Sequence, residues 1–385
     1  MKTKKIHFKR TLLFSALVAV FLLPIALPSV GALSGITSCS AAGKTTLTAY
    51  MVVTHSHTTI SGKTINATSC DIGIYVSPGL SYVTIKDTTV TGANQHGILV
   101  QDDSHVLIEN SLVTGNGVAT TVCPPSGTPP PGCIPENKPI ELVGTSNSLV
   151  TNNVVSYNGA DGGIGIADDG PQNPGAPLGV AGSSQRATND KVTWNTIVDN
   201  TKGCGIVIAA YNPDIGVRNI DVEHNVIIGS SPAEVFSGAP AYIGQIVVAT
   251  DAPDTTISNV NLRYNTLDGS FLPGIVLHAN VFGDRILNTK IIGNILAQNG
   301  YYPGPPNPSS NTPTSSQGTT GISIVAENPP PPNLPPAMIS HTQISSNTVL
   351  NDNIGIWLCY TDHTTMTNLE GNPTTAEATC TAGGS

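Results

Sequence analysis

A four-residue pattern, Gly-Ile-x-Ile, recurs nine times with conservative changes and limits what the chain can fold into. It reads Gly73-Ile74-Tyr75-Val76 and Gly97-Ile98-Leu99-Val100, then restarts at Pro139, Gly163, Gly205, Gln245, Gly274, Gly321 and Gly355. A second pattern, an Asn (Asp in the first copy) two or three residues before Val, Ile or Leu, accompanies it at Asp87, Asn110, Asn153, Asn195, Asn225, Asn265, Asn294 and Asn347. Where nothing is inserted, the two patterns lie ten residues apart, as in Asn153 to Gly163, and the shortest period is 23, from Asp87 to Asn110. Apolar residues alternate within each copy, which is the period of a strand, and no helical run separates the copies. One copy cannot bury its own apolar face; stacked copies can. Each period divides into three short strands, such as Val83-Thr84-Ile85, Thr196-Ile197-Val198 and the Gly-Ile strand. The pattern predicts an all-β solenoid, a right-handed single-stranded parallel β-helix of about nine to ten coils. A left-handed β-helix is the alternative, and its hexapeptide period is missing. The recurrent Asn suits a ladder of stacked turn amides; a row of sugar-binding side chains is the other reading.

The first residues carry Lys2, Lys4, Lys5, Lys9 and Arg10, followed by an apolar run from Leu12 to Leu27 and the small residues Val30-Gly31-Ala32. This order predicts a secretory signal peptide over residues 1–32, with an uncleaved anchor or a lipid on Cys39 as alternatives. The solenoid is expected over 33–370 and a C-terminal tail over 371–385. The leader holds five of the 16 Lys and Arg and none of the 25 Asp and Glu, leaving eleven bases against 25 acids, a net charge of about −14. Such a balance excludes a nucleic-acid binder, and no other segment is apolar enough to span a bilayer, so no membrane span is expected in the mature chain. Export permits disulfides. Cys39–Cys70, Cys123–Cys133 and Cys359–Cys380 are the expected pairs and Cys204 the free thiol, although spacing alone does not fix them. We expect a monomer.

The Gly-Ile-x-Ile strands and the Asn row resemble the pectin-lyase-like superfamily of right-handed parallel β-helices, over about residues 45–370. The resemblance implies the fold, and it implies an extracellular polysaccharide or cell-surface glycan as partner. That superfamily contains lyases, hydrolases, epimerases and esterases, and also noncatalytic adhesins and tail fibres. Its enzymes bind substrate on the sheet equivalent to the Gly-Ile-x-Ile strands, between loop insertions. Here insertions fall at 116–138, 230–243 and 300–320 before those strands, and at 168–190, 209–217 and 327–337 after them. The chain departs from the superfamily's catalytic motifs. It has no Asn-Thr-Asp, Gly-His-Gly and Arg-Ile-Lys set, no Asp-Pro-His-Asp and no Arg-x-Pro-x-x-Arg; only Asp168-Asp169 and Thr361-Asp362-His363 resemble fragments of them.

Alternation places Tyr75, Leu99, Glu141, Gly165, Val207, Val247, Val276, Ser323 and Trp357 in one outward row, which is mostly apolar. Polar residues gather just after the strands. Asp102, Asp103, Glu141, Asp168 and Asp169 fall on three successive coils, about 10 Å along the axis. Asp102, Glu141, Asp168 and Asp169, with His105, are therefore the candidate catalytic residues, because paired carboxylates divide into acid and base. Asp102, Asp103 and Asp168 would take calcium, a cation that prefers oxygen ligands. No other cofactor has a motif here. His278 and Asp251, on adjacent coils, with Arg285 and Lys138, are candidate substrate-binding residues; Arg285 would hold a carboxylate and Lys138 or His105 would serve as base. Turn capping is the competing role for each Asp. The function expected is that of a secreted polysaccharide lyase, hydrolase or epimerase, with a noncatalytic surface or glycan-binding solenoid as the alternative.

Overall fold

The computed structural model describes residues 39–42, 47–117, 138–159, 163–168, 185–200, 204–212, 215–229, 244–250, 252–270, 273–299, 320–326, 335–352, 354–373 and 375–379. Ser38–Ser385 form one compact unit. Three sheets run its length as a parallel β-helix. Sheet 1 holds the Gly-Ile-x-Ile strands, His96–Gln101 and Ile206–Ala210 among them. Sheet 2 follows each of them with strands such as Leu107–Glu109 and Val217–Glu223, and sheet 3 closes the coil with strands such as Leu112–Thr114 and Val226–Ile228.

The register follows from the alternation. Ile74, Ile98, Ile140, Ile164, Ile206, Ile246, Ile275, Ile322 and Ile356 pair in one unbroken row. All nine are buried. Like residues stacked at one spacing fill the interior without voids, and each buried Ile contributes roughly 1.5–3 kcal/mol over an exposed one.

Sheet 1 extends one parallel strand beyond the nine copies at each end, to Thr48–Val53 and Thr375–Thr379. Neither carries the Gly-Ile signature. The second lies within the expected tail, so the solenoid continues past residue 370. The short strand Ser40–Ala41 runs antiparallel along Thr48–Val53 and covers that edge. The expected Cys39–Cys70 disulfide ties it down. Cys204 is buried and is not part of a disulfide, and Cys359 is disulfide-bonded. Cys123, Cys133, Cys380 and the expected signal peptide lie outside the described residues. Among the described residues, no helix is long and apolar enough to cross a membrane.

The asparagine ladder stands at the corner between sheets 2 and 3. Asn153, Asn195, Asn225, Asn265 and Asn294 each pass a side-chain N–H to the next side-chain carbonyl at 2.9–3.0 Å, and the row ends on Asn347. In the two preceding coils the ladder position belongs to Ser111 and Thr88, not to Asn110 and Asp87. Asn110 and Asp87 sit one residue earlier, at φ 49° and 50°. The left-handed turn and the ladder amide, expected in one residue, are thus adjacent positions. Trp194, His224 and Tyr264 occupy the left-handed position in consecutive coils and stack face to face outside, 4.2 and 5.2 Å apart.

Candidate functional site

The outward row of sheet 1 has the register that alternation predicts, Tyr75–Leu99–Glu141–Gly165–Val207–Val247–Val276–Ser323–Trp357. Most of it is buried. Two apolar clusters cover much of the face. One gathers Ile72, Tyr75, Leu99 and Val143, and the other Ala167, Cys204, Val207, Val247 and Val276. Between them lies a polar island of His96, Gln101, Lys138 and Glu141, all buried.

The island is built by two coils and held by specific contacts. His96 Nδ1 lies 3.0 Å from the Lys138 carbonyl oxygen and 3.0 Å from Glu141 Oε2. Both are acceptors, so Nδ1 carries the proton and Nε2 keeps its lone pair in the neutral ring. Nε2 is buried and has no hydrogen-bond partner among the described residues. The Lys138 carbonyl accepts the Nδ1 proton and fixes the tautomer, the Glu141 carboxylate lies beside it as a counter-charge, and the far nitrogen is left oriented as a base. Lys138 runs its stem across Gly165, where a Cβ would stand 2.7 Å from Lys138 Cγ. A glycine is needed there to let the lysine lie flat on the sheet. Tyr75 donates its hydroxyl to Gln101 Oε1 at 3.2 Å and closes one side.

Of the residues read from the sequence, Glu141 and Lys138 come together here. His105 does not. It is exposed at the corner between sheets 1 and 2, at φ 56°, stacked 4.6 Å from Tyr82 in a column that continues to His57. Asp102 is half-buried at the same corner, one residue past its strand. Asp103 is buried and accepts the Leu80 N–H of the preceding coil. Asp168 is buried and accepts the Tyr211 N–H at 2.7 Å from the following coil. Burial raises Asp103 to about 8 and Asp168 to about 6, with the accepted N–H groups pulling the other way. Among the described residues each engages a backbone donor with Oδ1 alone, but carboxylates pushed toward protonation by burial do not suit a calcium site, which needs several ionised oxygen ligands. Among the described residues, no three His, Cys, Asp or Glu side chains converge to hold a metal.

His278 is buried on the second outward row of sheet 1, paired with Ala249 and Val325. Arg285 begins a sheet 2 strand and is exposed, so these two candidates face different sides of the coil. Asp169 and Asp251 lie outside the described residues.

His96 is the residue that sequence reasoning missed. Strands aligned from the glycine onward exclude the residue before it. That position is a third outward row, holding Ile72, His96, Lys138 and Cys204. A histidine and a lysine there on consecutive coils, with Glu141 beside them, were the available signal.

The sequence matches the family model described as "Right handed beta helix region" over residues 48–373. Comparison with curated protein sequences gave no match. Among solved structures, the chain is similar to a mannuronan C-5 epimerase A-module from Azotobacter vinelandii, at 14% identity and TM-score 0.44, over 85% of this chain and 76% of that one. It is similar to a family 28 exopolygalacturonase from Yersinia enterocolitica, at 10% identity and TM-score 0.49, over 80% and 45%. A surface adhesin of Streptococcus pneumoniae matches at 12% identity and TM-score 0.31, over 79% and 64%.

Proposed function

Because the chain belongs to the right-handed β-helix family, we propose that it is a secreted or cell-surface protein acting on an acidic polysaccharide, with His96 as the base of its reaction centre. The observation that carries this reading is the His96–Glu141 pair, whose Nδ1 is bound and whose Nε2 is buried without a partner among the described residues. The chemistry that suits one oriented imidazole is removal of the proton α to a uronate carboxylate. Nε2 takes the C5 proton. In a lyase the electron pair then expels the C4 oxygen, which leaves as a hydroxyl after protonation and gives an unsaturated uronate. In an epimerase a proton returns to the opposite face of C5. Glu141 stabilises the imidazolium that forms. Lys138 supplies positive charge beside the substrate carboxylate. Inverting hydrolysis is the weaker reading, because it needs two carboxyl groups roughly 6.5–9.5 Å apart across the sugar, and Asp103 and Asp168 are tied to turn N–H groups.

The test is an assay of the purified chain on polygalacturonate, alginate and hyaluronan. It reads ultraviolet absorbance of the unsaturated product and, by NMR in D2O, exchange at C5. His96→Gln is expected to lower turnover at least 100-fold and Glu141→Gln 10- to 100-fold, with circular dichroism unchanged. Full activity in His96→Gln, or no reaction of the parent chain with any uronate polymer, overturns the proposal. A second reading, a noncatalytic glycan-binding solenoid, rests on the complete burial of His96, and the latter outcome would favour it.

A further inference from the structure

Away from sheet 1, an open groove of about 410 Å³ crosses the outside of the last coils, where sheet 1 passes into sheet 2. This volume falls within the range of small-molecule sites. Arg285, Met338 and Tyr360 line it from three consecutive coils. Arg285 pairs with Met338, and the neighbouring pair Ile339–Thr361 places Tyr360 next in that row. Two coil steps separate Arg285 from Tyr360 by about 10 Å along the axis. One wall is Pro335-Pro336, rigid by composition and pinned where Gly283 donates its N–H to the Pro335 carbonyl at 2.9 Å.

The groove holds a cation that is not neutralised by a neighbouring acid among the described residues. On the outer face of sheet 2, Arg263 is engaged by Glu223 and Asp221, and Lys191 by Asp221. Arg285 is exposed, and among the described residues its guanidinium has no such partner, although the chain carries 25 acids against 16 Lys and Arg. Tyr360 is 40% exposed, so its ring is open to a ligand. Asp362 completes the lining, with its Oδ2 2.7 Å from His363 Nδ1, which leaves Oδ1 to accept a hydroxyl.

We infer that this groove binds an acidic oligosaccharide, separately from the face of sheet 1. Arg285 takes the carboxylate of one uronate residue through paired N–H bonds. The next sugar ring lies on Tyr360 and Met338, whose apolar surfaces suit the C–H face of a pyranose. Asp362 accepts from a ring hydroxyl, and its charge disfavours a dianion such as phosphate. The site does not depend on His96 being a catalytic base, because no residue is shared between the two.

The experiment is titration calorimetry of the full chain with tri-galacturonate, maltotriose and inorganic phosphate. Tri-galacturonate is expected to bind at least ten times more tightly than maltotriose, and more weakly as salt is raised. Arg285→Ala and Tyr360→Ala should each weaken it at least tenfold, while Arg285→Lys, which keeps the charge but loses the fork, recovers part of the affinity. Arg218→Ala removes another exposed arginine of sheet 2 and should change nothing. Any of four results overturns the inference: no binding of tri-galacturonate at millimolar concentration, equal binding by Arg285→Ala, equal weakening by Arg218→Ala, or displacement of the sugar by phosphate.

Discussion

Five aspartates carry an unusual share of the chain's response to pH. Asp103, Asp168, Asp190, Asp284 and Asp352 are buried, and each accepts backbone N–H bonds at a turn: from Leu80, Tyr211, Ser148, Val281 and Asn299 respectively. Burial disfavours the ionised form and raises all five, to about 8, 6, 7, 6 and 7, and Asp102 adds repulsion at Asp103. The unfolded carboxyls release their protons near pH 4. Between that pH and the folded value, the native state binds more protons than the unfolded one, so stability falls as pH rises. The contribution is complete below about pH 4 and gone above about pH 8. The denaturation midpoint in urea is therefore expected to drop between pH 5 and pH 8. Asp103→Asn keeps an acceptor for the Leu80 N–H and removes one titrating group. It should flatten that drop by on the order of 1–3 kcal/mol. A midpoint that rises over this range, or a variant with the parent's slope, contradicts the assignment.

At the scale of the strand, the glycine that opens most sheet 1 copies is demanded by close approach, not by turn conformation. A Cβ at Gly205 would stand 2.5 Å from Ile227 Cγ2 and 2.7 Å from the Gln245 carbonyl oxygen of the next coil. Both neighbours belong to the packed interior of the solenoid, so neither has room to retreat. Gly205→Ala is expected to cost about 3 kcal/mol, read as a lower urea midpoint. Gly269→Ala, with nothing near its Cβ but φ 66°, should cost roughly 1 kcal/mol. Equal losses would show that backbone conformation, not contact, fixes the row. This geometry also explains what could be read from the sequence. The glycine is dictated by contacts that repeat in most coils and the first Ile by contacts that repeat in every copy, so the register of sheet 1 was legible residue by residue. The ladder was legible only where it uses Asn. In the coils of Thr88 and Ser111 it had been assigned to Asp87 and Asn110, one residue early. The polar island was half legible. Glu141 and Lys138 are marked by type and position, but the role of His96 arises from contacts across coils that no single repeat encodes.

At the scale of the whole molecule, stacked coils contact only their neighbours, so stability is locally summed and opening starts at the ends. Sheet 1 begins with Thr48–Val53, whose outer edge is paired by the antiparallel Ser40–Ala41. An uncovered strand edge would present unpaired N–H and carbonyl groups to another chain. Two residues of pairing are too few to hold by themselves, and the Cys39–Cys70 bridge, spanning 31 residues, fixes this cover to the first coils. Closing a loop of that length removes about 3–4 kcal/mol of unfolded-state entropy. Reduction should act first on the part of the solenoid the bridge encloses and leave the central coils intact. Hydrogen exchange after mild reduction is expected to show Thr48–Val53 and Ile72–Val76 losing protection, while Ile206–Ala210 and Ile246–Thr250 keep theirs. With its cover released, the exposed edge should also promote end-to-end association, visible as a slower-sedimenting monomer fraction giving way to larger species. Uniform loss of protection along sheet 1 would mean that the coils unfold as one cooperative unit, and the cap would then hold the entire solenoid.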